Sequence, residues 1–480
     1  MFESQPTKFI DTFLGPGGGP STLEEFWTEV ESRGDPRLAH HPMLRMPRWR
    51  QRAIPVMIHG DAVPVVACGR ATAESLDCVS WSSVFAKGAV TSQKMLIFSC
   101  CENSKTAITM EQAWAIIAWS FQWLYKGAYP KKNHLFEDYA PGTSEAMLAN
   151  SGATLAGDYF CVIWSIKGDL DYYTKCLKLK HYQRDDLCEY DDCDMKHRDP
   201  GMHPFNFTRG CKWKRLQHSA AEWRRKRGHN ARQIFKAFSF LSILNIEADE
   251  LHTLWIGLCQ YALASALWLL CFRILDGTIK ENMVQVWAEI QSHGGCSYSS
   301  ITLKIFMNEK KPWDEFPKLK GRGSQAKSLV APLLRVWAWH RSDDVLYDTV
   351  LNLLETLLEI SDLVDSTAME IFMPLADCAV LETSMNKFLG FYTHAGLLAD
   401  REGLCLFSEV PKLHWACHWM SRSRWLHPRR VACWLDEDFM KHCKILAGYA
   451  TRGTAKHKVP CYFMPRYSKA LALAQEFVSE

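Results

Sequence analysis

The chain has 480 residues, of which 48% are hydrophobic and 23% charged, with 56 Lys and Arg against 53 Asp and Glu and a formal net charge of +3. That length can bury a large core and suggests roughly two to four domains. The near balance of charge excludes a polycation, and the composition excludes a largely disordered chain, but neither excludes a local basic groove.

Residues 1–50 read as an N-terminal extension, partly flexible, with a Gly15 to Ser21 turn cluster and a basic, Pro-punctuated stretch at 40–52 that would touch phosphate or form a solvated edge. Ile54 to His59 is a β-rich run stopping at Gly60-Asp61, and Val63 to Val66 predicts a second strand after a tight turn. Lys94 to Cys100 is a third strand candidate. Thr109 to Lys126 predicts a helix, with Thr109 as cap, Gln112 in the capping-box position and a broad aromatic face that must be buried. Phe160 to Ile166 is an apolar run ending at Gly168-Asp169, followed by Leu170, Tyr173 and Leu177 on one helix face. Asp169 then serves either as a helix N-cap or as a carboxylate at the carboxyl end of a strand.

The order strand, strand, strand, helix, strand, helix, with an Asp on the first and fourth strands, is that of a ribonuclease-H-like α/β fold. In such a mixed sheet those two strands lie side by side, and Asp61 and Asp169 would converge on Mg²⁺ or Mn²⁺, hard ions that prefer carboxylate oxygens and activate water against a phosphodiester. The sheet core spans 51–182, a Cys/His loop and basic segment 183–232, and a mainly helical insertion and C-terminal region 233–480.

Within 183–232, Cys188, Cys193, His197 and His203 follow a C-x4-C-x3-H-x5-H spacing. Four such ligands would close a tetrahedral zinc site, and the acidic neighbours Asp185, Asp186, Glu189, Asp191 and Asp192 favour any cation there; reduced, unliganded thiols are the alternative. The run 211–232 carries Lys212, Lys214, Arg215, Arg224, Arg225, Lys226 and Arg227 with Trp213 and Trp223 interleaved. As a helix it would present cations on more than one face, either to DNA or to solvent. His414 and His418, one helical turn apart, have a spacing that can hold metal, but a structural role in the core is the preferred reading. Asp249 and His252 share a helix face, which suits a cap with a buried hydrogen bond as well as catalysis.

Leu254 to Phe272 is 19 residues without a charge, the length of a bilayer span, but Gln260 and Ser265 interrupt it and Arg273 follows at once, so a buried core helix is the preferred reading over a membrane-associated protein. Tyr347 to Val364 is an amphipathic helix. The 18 cysteines lie between Cys68 and Cys461, and the N-terminus lacks a basic segment followed by an apolar one. Both features point to reduced thiols in nucleus or cytoplasm rather than a secreted disulfide scaffold. Phosphate-loop, dinucleotide-fold and serine-elbow motifs are absent from the sequence.

Several short blocks, in order, resemble the DDE transposases of the CACTA type: His59-Gly60-Asp61 with Pro64, Gly168-Asp169-Leu170, the cysteine pair, Asp249-Glu250-Leu251-His252, Pro317 to Lys320, Lys412-Leu413-His414 to His418, and Glu437-Asp438-Phe439. The resemblance covers about residues 50 to 450. It implies DNA as partner, self-association, and metal-dependent cleavage and strand transfer through a third acid, usually Glu, on a helix beyond a long helical insertion. Gln325 occupies the place where that acid is expected, with Glu382 and Glu409 as substitutes. A non-catalytic DNA- or protein-binding derivative is therefore the alternative.

Overall fold

The structure is a computed structural model that describes residues 6–65, 74–208, 210–227, 230–340, 343–451, 454 and 458–477. In chain order its main elements are α1 (Pro6–Leu14), α2 (Pro20–Ser32), β1 (Ala53–Val65), β2 (Glu74–Ser83), β3 (Met95–Cys101), α3 (Thr109–Lys126), β4 (Phe160–Lys167), α4 (Leu170–Lys175) and α5 (Ala220–Arg227). There follow α6 (Leu251–Ile274), α7 (Ile279–His293), α8 (Gly323–His340), α9 (Val345–Ser366), α10 (Leu375–Arg401), α11 (Lys412–Arg422), α12 (Trp434–Thr451) and α13 (Val459–Phe477). The chain divides into two compact units, one of Met1–His181, His218–Glu247 and Cys433–Glu480, the other of Tyr182–Gln217 and Ala248–Ala432. The C-terminal stretch from Cys433 thus belongs with the sheet, not with the helical region to which its sequence pattern assigns it.

The first unit is built on a mixed four-stranded sheet in the order β3-β2-β1-β4, with β1 antiparallel to β2 and parallel to β4. The central position of β1 explains its composition. Ala53 to Gly60 are all buried, as expected of a strand covered on both faces. The expected turn at Gly60-Asp61 is absent: β1 continues to Val65 because β2 pairs with it throughout, Gly60 opposite Val79 and Asp61 opposite Cys78. The second strand is therefore Glu74–Ser83, and Val66, the last residue of the sequence-predicted strand, lies outside the described residues.

Residues 6–50 contribute to this core. Trp27 is fully buried, donates from its indole N–H to the Ala53 carbonyl at 2.8 Å, and meets Trp164 of β4 edge-to-face at 4.9 Å. Buried Arg37 bridges Asp35 at 2.6 Å and Glu247 at 2.8 Å, and Ser165 of β4 donates to Glu247 at 2.7 Å. The Glu247 backbone N–H also donates to the Ile166 carbonyl at 2.9 Å, beside a single parallel bridge between Ile166 and Ile246. This stub adds a rudimentary fifth position beyond β4. Helix α3 has the expected limits, but Thr109 does not cap it: its hydroxyl accepts from Thr106 N–H at 2.9 Å, and Ile108 stands at the cap without a side-chain bond.

The second unit is helical. Its core is α6, the one helix among the described residues long and apolar enough to cross a membrane, with 89% of its most apolar window buried inside the protein. The two residues that interrupt the apolar run are used internally. Gln260 donates to the Gly321 carbonyl at 3.2 Å and its own carbonyl accepts from Leu319 at 3.0 Å, while the Ser265 hydroxyl accepts from Phe407 N–H at 3.0 Å. Helix α9 extends the predicted amphipathic segment by two residues at each end, with Leu353, Leu357 and Ile360 fully buried.

Candidate functional sites: a carboxylate edge and a buried metal-ligand pocket

His59 on β1 and Lys167 on β4 are the last paired residues of the two parallel strands. Each is followed by Gly-Asp, so the triplets His59-Gly60-Asp61 and Lys167-Gly168-Asp169 run side by side. The glycines are required by close approach. A Cβ on Gly60 would lie 1.9 Å from the Tyr172 ring, and one on Gly168 would lie 2.4 Å from the same ring and 2.9 Å from the Gly60 carbonyl oxygen. With the two-residue period of a strand, Asp61 projects on the face of His59. Both Asp61 and Asp169 are half-buried. Asp61 Oδ1 accepts from Ala62 N–H at 2.7 Å, and Asp169 caps α4 by accepting from Tyr172 N–H at 2.6 Å. The capping reading of Asp169 is thus present in the structure.

Beneath these carboxylates lies a fully buried charge cluster. Asp436, in the first turn of α12, pairs with Lys167 at 2.6 Å and with Lys94, and lies 3.7 Å from His59 Nδ1. Burial alone would raise the Asp436 carboxyl, but Lys167, Lys94 and His59 outweigh it and hold the group well below the carboxylate range. Burial pushes Lys94 down to about 8 and His59 down to about 4, each partly offset by Asp436. Helix α12 is thereby tied to β4 through Lys167, its Phe439 and Met440 share a core cluster with Val63 and Val65 of β1, and its next residue after Asp436, the half-buried Glu437, acts electrostatically on His59. Sequence reasoning noted Glu437 as part of a block but gave it no role. Among the described residues Asp61, Asp169 and Glu437 do not close into a single three-ligand group.

The substitutes considered for a third acid lie in the other unit. Glu382 is exposed on α10, and Glu409 is exposed in the loop before α11. Gln325 is engaged in a turn at the start of α8, where its Oε1 accepts from Arg322 N–H at 2.9 Å.

The cysteine pair is matched, but not by the histidines nearest in sequence. His197 is exposed and His203 half-buried, and their Nδ1 atoms accept from the backbone of Asp199 at 3.0 Å and Phe205 at 3.3 Å. The buried cysteines meet α11 instead. Cys188 Sγ lies 3.2 Å from His418 Nε2, Cys193 Sγ 3.7 Å from His414 Nε2, and the two Nε2 atoms are 3.1 Å apart. Asp191 Oδ2 reaches His414 at 3.0 Å and His418 at 3.2 Å. All five side chains are buried, and the ligand atoms of Cys188, Asp191, His414 and His418 lie within 4.8 Å of one another, an arrangement able to hold a metal ion.

Burial pushes the Cys188 thiol up to about 12, reinforced by Cys193 and Asp191. Burial would strip protons from His414, but Asp191 and Cys188 outweigh it and raise the imidazole well above its ordinary range. His414 Nδ1 lies 3.0 Å from the Pro204 carbonyl, to which it donates, so Nε2 is the ring nitrogen turned toward Asp191 and Cys193. Tyr190 stacks on His418 at 4.4 Å, and Trp213 packs on His414 at 4.1 Å.

The basic run is not one helix. It breaks into a single turn at Trp213–Arg215 and α5, and its two halves fall in different units. Trp213 and Trp223 are fully buried. Arg224 donates to the carbonyls of Phe235 at 3.2 Å and Phe238 at 2.5 Å, Lys214 to Asn386 at 2.9 Å, and Lys212 pairs with Asp199 at 2.5 Å. Arg215, Arg225 and Lys226 are exposed, and Arg227 is half-buried. Asp249 caps α6 through His252 N–H at 2.8 Å and bonds the His252 ring at 2.5 Å, as its spacing suggested. No protein-family model and no curated protein matches the chain.

Proposed function

We propose that the first unit is a ribonuclease-H-like, transposase-like module that cuts DNA phosphodiesters with Mg²⁺ or Mn²⁺ held by Asp61, Asp169 and Glu437. The observation that carries this reading is the buried cluster of His59, Lys167 and Asp436. His59 and Lys167 stand two residues before Asp61 and Asp169, Asp436 stands one residue before Glu437, and they come from β1, β4 and α12. The Lys167–Asp436 pair fastens α12 to β4, and β4 is paired with β1, so the acids that follow would share one edge of the sheet. The strand order β3-β2-β1-β4 with parallel β1 and β4, and the stub at Ile246 beyond β4, supports the fold assignment.

Within this reading Asp61, Asp169 and Glu437 hold the metal. Bound ions would activate a water or hydroxyl and neutralise charge on the leaving oxygen. Lys167 and Lys94 are paired with Asp436. The thiol- and imidazole-rich pocket of the second unit suits zinc in a structural role, whereas the carboxylate edge suits harder ions. Nuclear or cytoplasmic location and self-association follow from the same reading.

The bond between Asp169 and Tyr172 N–H favours a second reading: a non-catalytic DNA- or protein-binding derivative in which Asp169 serves only as a cap. Manganese-dependent nicking of supercoiled DNA by the full chain separates the two, with DNA binding followed in parallel. Nicking lost in Asp61→Asn, Asp169→Asn and Glu437→Gln while binding persists supports the nuclease. Binding without nicking in the unaltered chain supports the derivative, and nicking unaffected by all three changes overturns the site.

A further inference from the structure

We propose that the cleft between the 200–208 segment and α10 takes a single unpaired guanine base. The cleft lies wholly within the second unit and has a volume of about 600 Å³, in the range of small-molecule sites. Phe205 and Phe207 supply aromatic lining, Gly390 of α10 a stretch of bare backbone, and His203 and Glu409 polar groups. None of these residues belongs to the carboxylate edge or to the buried cysteine and histidine pocket. The inference rests on the DNA reading for the source of the base, and on the cleft alone for the site.

Gly390 carries the argument. It stands in the interior of α10, a helix of 27 residues, where glycine costs stability relative to alanine. Packing within the protein does not call for it: a Cβ at this position would meet no atom of the surrounding protein within 4 Å. What the missing Cβ provides is backbone laid open to the cleft, and a flat ring is the ligand that uses it. Phe205 and Phe207 fit the same ligand, since every base has a face that stacks on an aromatic side chain. Each ring is braced, Phe205 edge-to-face with His203 at 5.7 Å and Phe207 edge-to-face with Trp213 at 6.4 Å.

The polar groups choose among the bases. His203 Nδ1 accepts from Phe205 N–H at 3.3 Å, so the neutral ring carries its proton on Nε2 and offers one donor. The exposed Glu409 offers two acceptor oxygens. One donor with two acceptors complements the Watson–Crick edge of guanine, whose O6 accepts while N1–H and the N2 amino group donate side by side. Adenine and cytosine each set one donor beside a ring acceptor, and thymine sets its one donor between two carbonyls, so none of them satisfies both carboxylate oxygens. In duplex DNA the guanine edge is taken by cytosine, and the base must therefore be unpaired to enter.

The test uses the full chain, without added Mg²⁺ or Mn²⁺, and short fluorescent oligothymidines carrying one central guanine, hypoxanthine or adenine. By anisotropy the guanine probe should bind about tenfold more tightly than the adenine probe, and about fivefold more tightly than the hypoxanthine probe, which lacks only the N2 amino group. Glu409→Ala should bring the guanine and hypoxanthine probes within about twofold of each other. Gly390→Leu should abolish the preference without lowering the melting temperature, because leucine is the better helix former and has room there. Competition by free guanosine monophosphate supports the site with a nucleotide as its ligand, and preference without that competition supports it with a base held in a DNA strand. Equal affinity for the three probes overturns the site, as does a preference that survives Gly390→Leu or a chain that binds neither probe nor nucleotide. Should one variant fold poorly, Glu409→Ala at its exposed position decides. A chain that prefers guanine but never nicks loses the nuclease reading and keeps this one, and a chain that nicks but binds the probes alike does the reverse.

Discussion

Replacing Asp436 by Asn keeps the shape of the side chain and removes the negative charge that Lys94 and Lys167 share in their buried cluster. Asp436 is 0% exposed, and the lysine side chains are 5% and 3% exposed. Taking one partner from a buried ion pair costs about 3–5 kcal/mol, because the remaining charge keeps its desolvation penalty and loses its compensation. A stranded ammonium can also escape by losing its proton: for Lys94, already pushed down to about 8, that costs only about 1–2 kcal/mol at pH 7, so the larger part of the loss falls on Lys167. Urea unfolding of Asp436→Asn at pH 7 should therefore show a loss of about 3–5 kcal/mol with an unchanged m-value. Replacing the whole cluster with apolar residues, Asp436→Leu with Lys94→Met and Lys167→Met, should recover most of it, since His59 is held neutral with its pKa near 4. A loss below about 1 kcal/mol in Asp436→Asn would refute the claim that this cluster fastens α12 to the sheet, and with it the argument that brings Glu437 to the edge where Asp61 and Asp169 stand.

Three further outcomes are expected. Gly168→Ala should lower the melting temperature more than Gly60→Ala, because its Cβ meets backbone at 2.9 Å as well as the Tyr172 ring, whereas the nearest atoms to a Gly60 Cβ all belong to that ring and its clash should be relieved by Tyr172→Leu; overpacking of this kind costs about 1–3 kcal/mol. His41 is held neutral by burial, its pKa lowered to about 3, so the unfolded chain binds a proton below about pH 6.5 that the folded chain refuses; stability is full above that pH and falls by about 3 kcal/mol by pH 4, and His41→Asn, which keeps an acceptor for Met43 N–H, should flatten that part of the denaturation profile. Arg224→Met should destabilise by about 2–3 kcal/mol through stranded carbonyls and leave the salt dependence of DNA binding unchanged, whereas Arg225→Met should leave stability within about 0.5 kcal/mol and reduce the salt slope by about 1 if that exposed cation meets phosphate.

Local chemistry was legible where one segment decides its own structure. The apolar run at Phe160 and the Asp169 cap, the limits of α3, the buried character of α6 and the Asp249 to His252 pair were readable because burial on both faces, capping and i, i+3 spacing are short-range effects. The strand β2 was not. Its sequence ESLDCVSWSS is half polar, and Asp77 is buried there in an ion pair with Lys105, a partner beyond the strand. The break expected at Gly60-Asp61 failed for the same reason: strand pairing with β2, which the residues themselves do not announce, carries β1 through a glycine required for contact with Tyr172.

The two candidate sites were half-legible in a more instructive way. For the metal pocket the cysteines and both histidine pairs were visible, but proximity in sequence favoured His197 and His203, whereas the cysteines meet histidines 230 and 221 positions away. The distinguishing signal was helical spacing: His414 and His418 share a face of α11 and deliver two nitrogens to one point, which His197 and His203, in irregular chain with their Nδ1 atoms engaged by backbone, do not. At the carboxylate edge the acidic run Asp436-Glu437-Asp438 offers three candidates that composition cannot rank. The fold ranks them: Asp436 is buried and ion-paired, Asp438 is exposed and paired with Lys441 on its own helix, and Glu437 alone is half-buried and felt by His59. A carboxylate paired with two buried ammonium groups is engaged in the core, and an exposed one bound to its helical neighbour has no fixed aim, so under the proposed nuclease reading the structural part falls to Asp436 and the metal-binding part to Glu437.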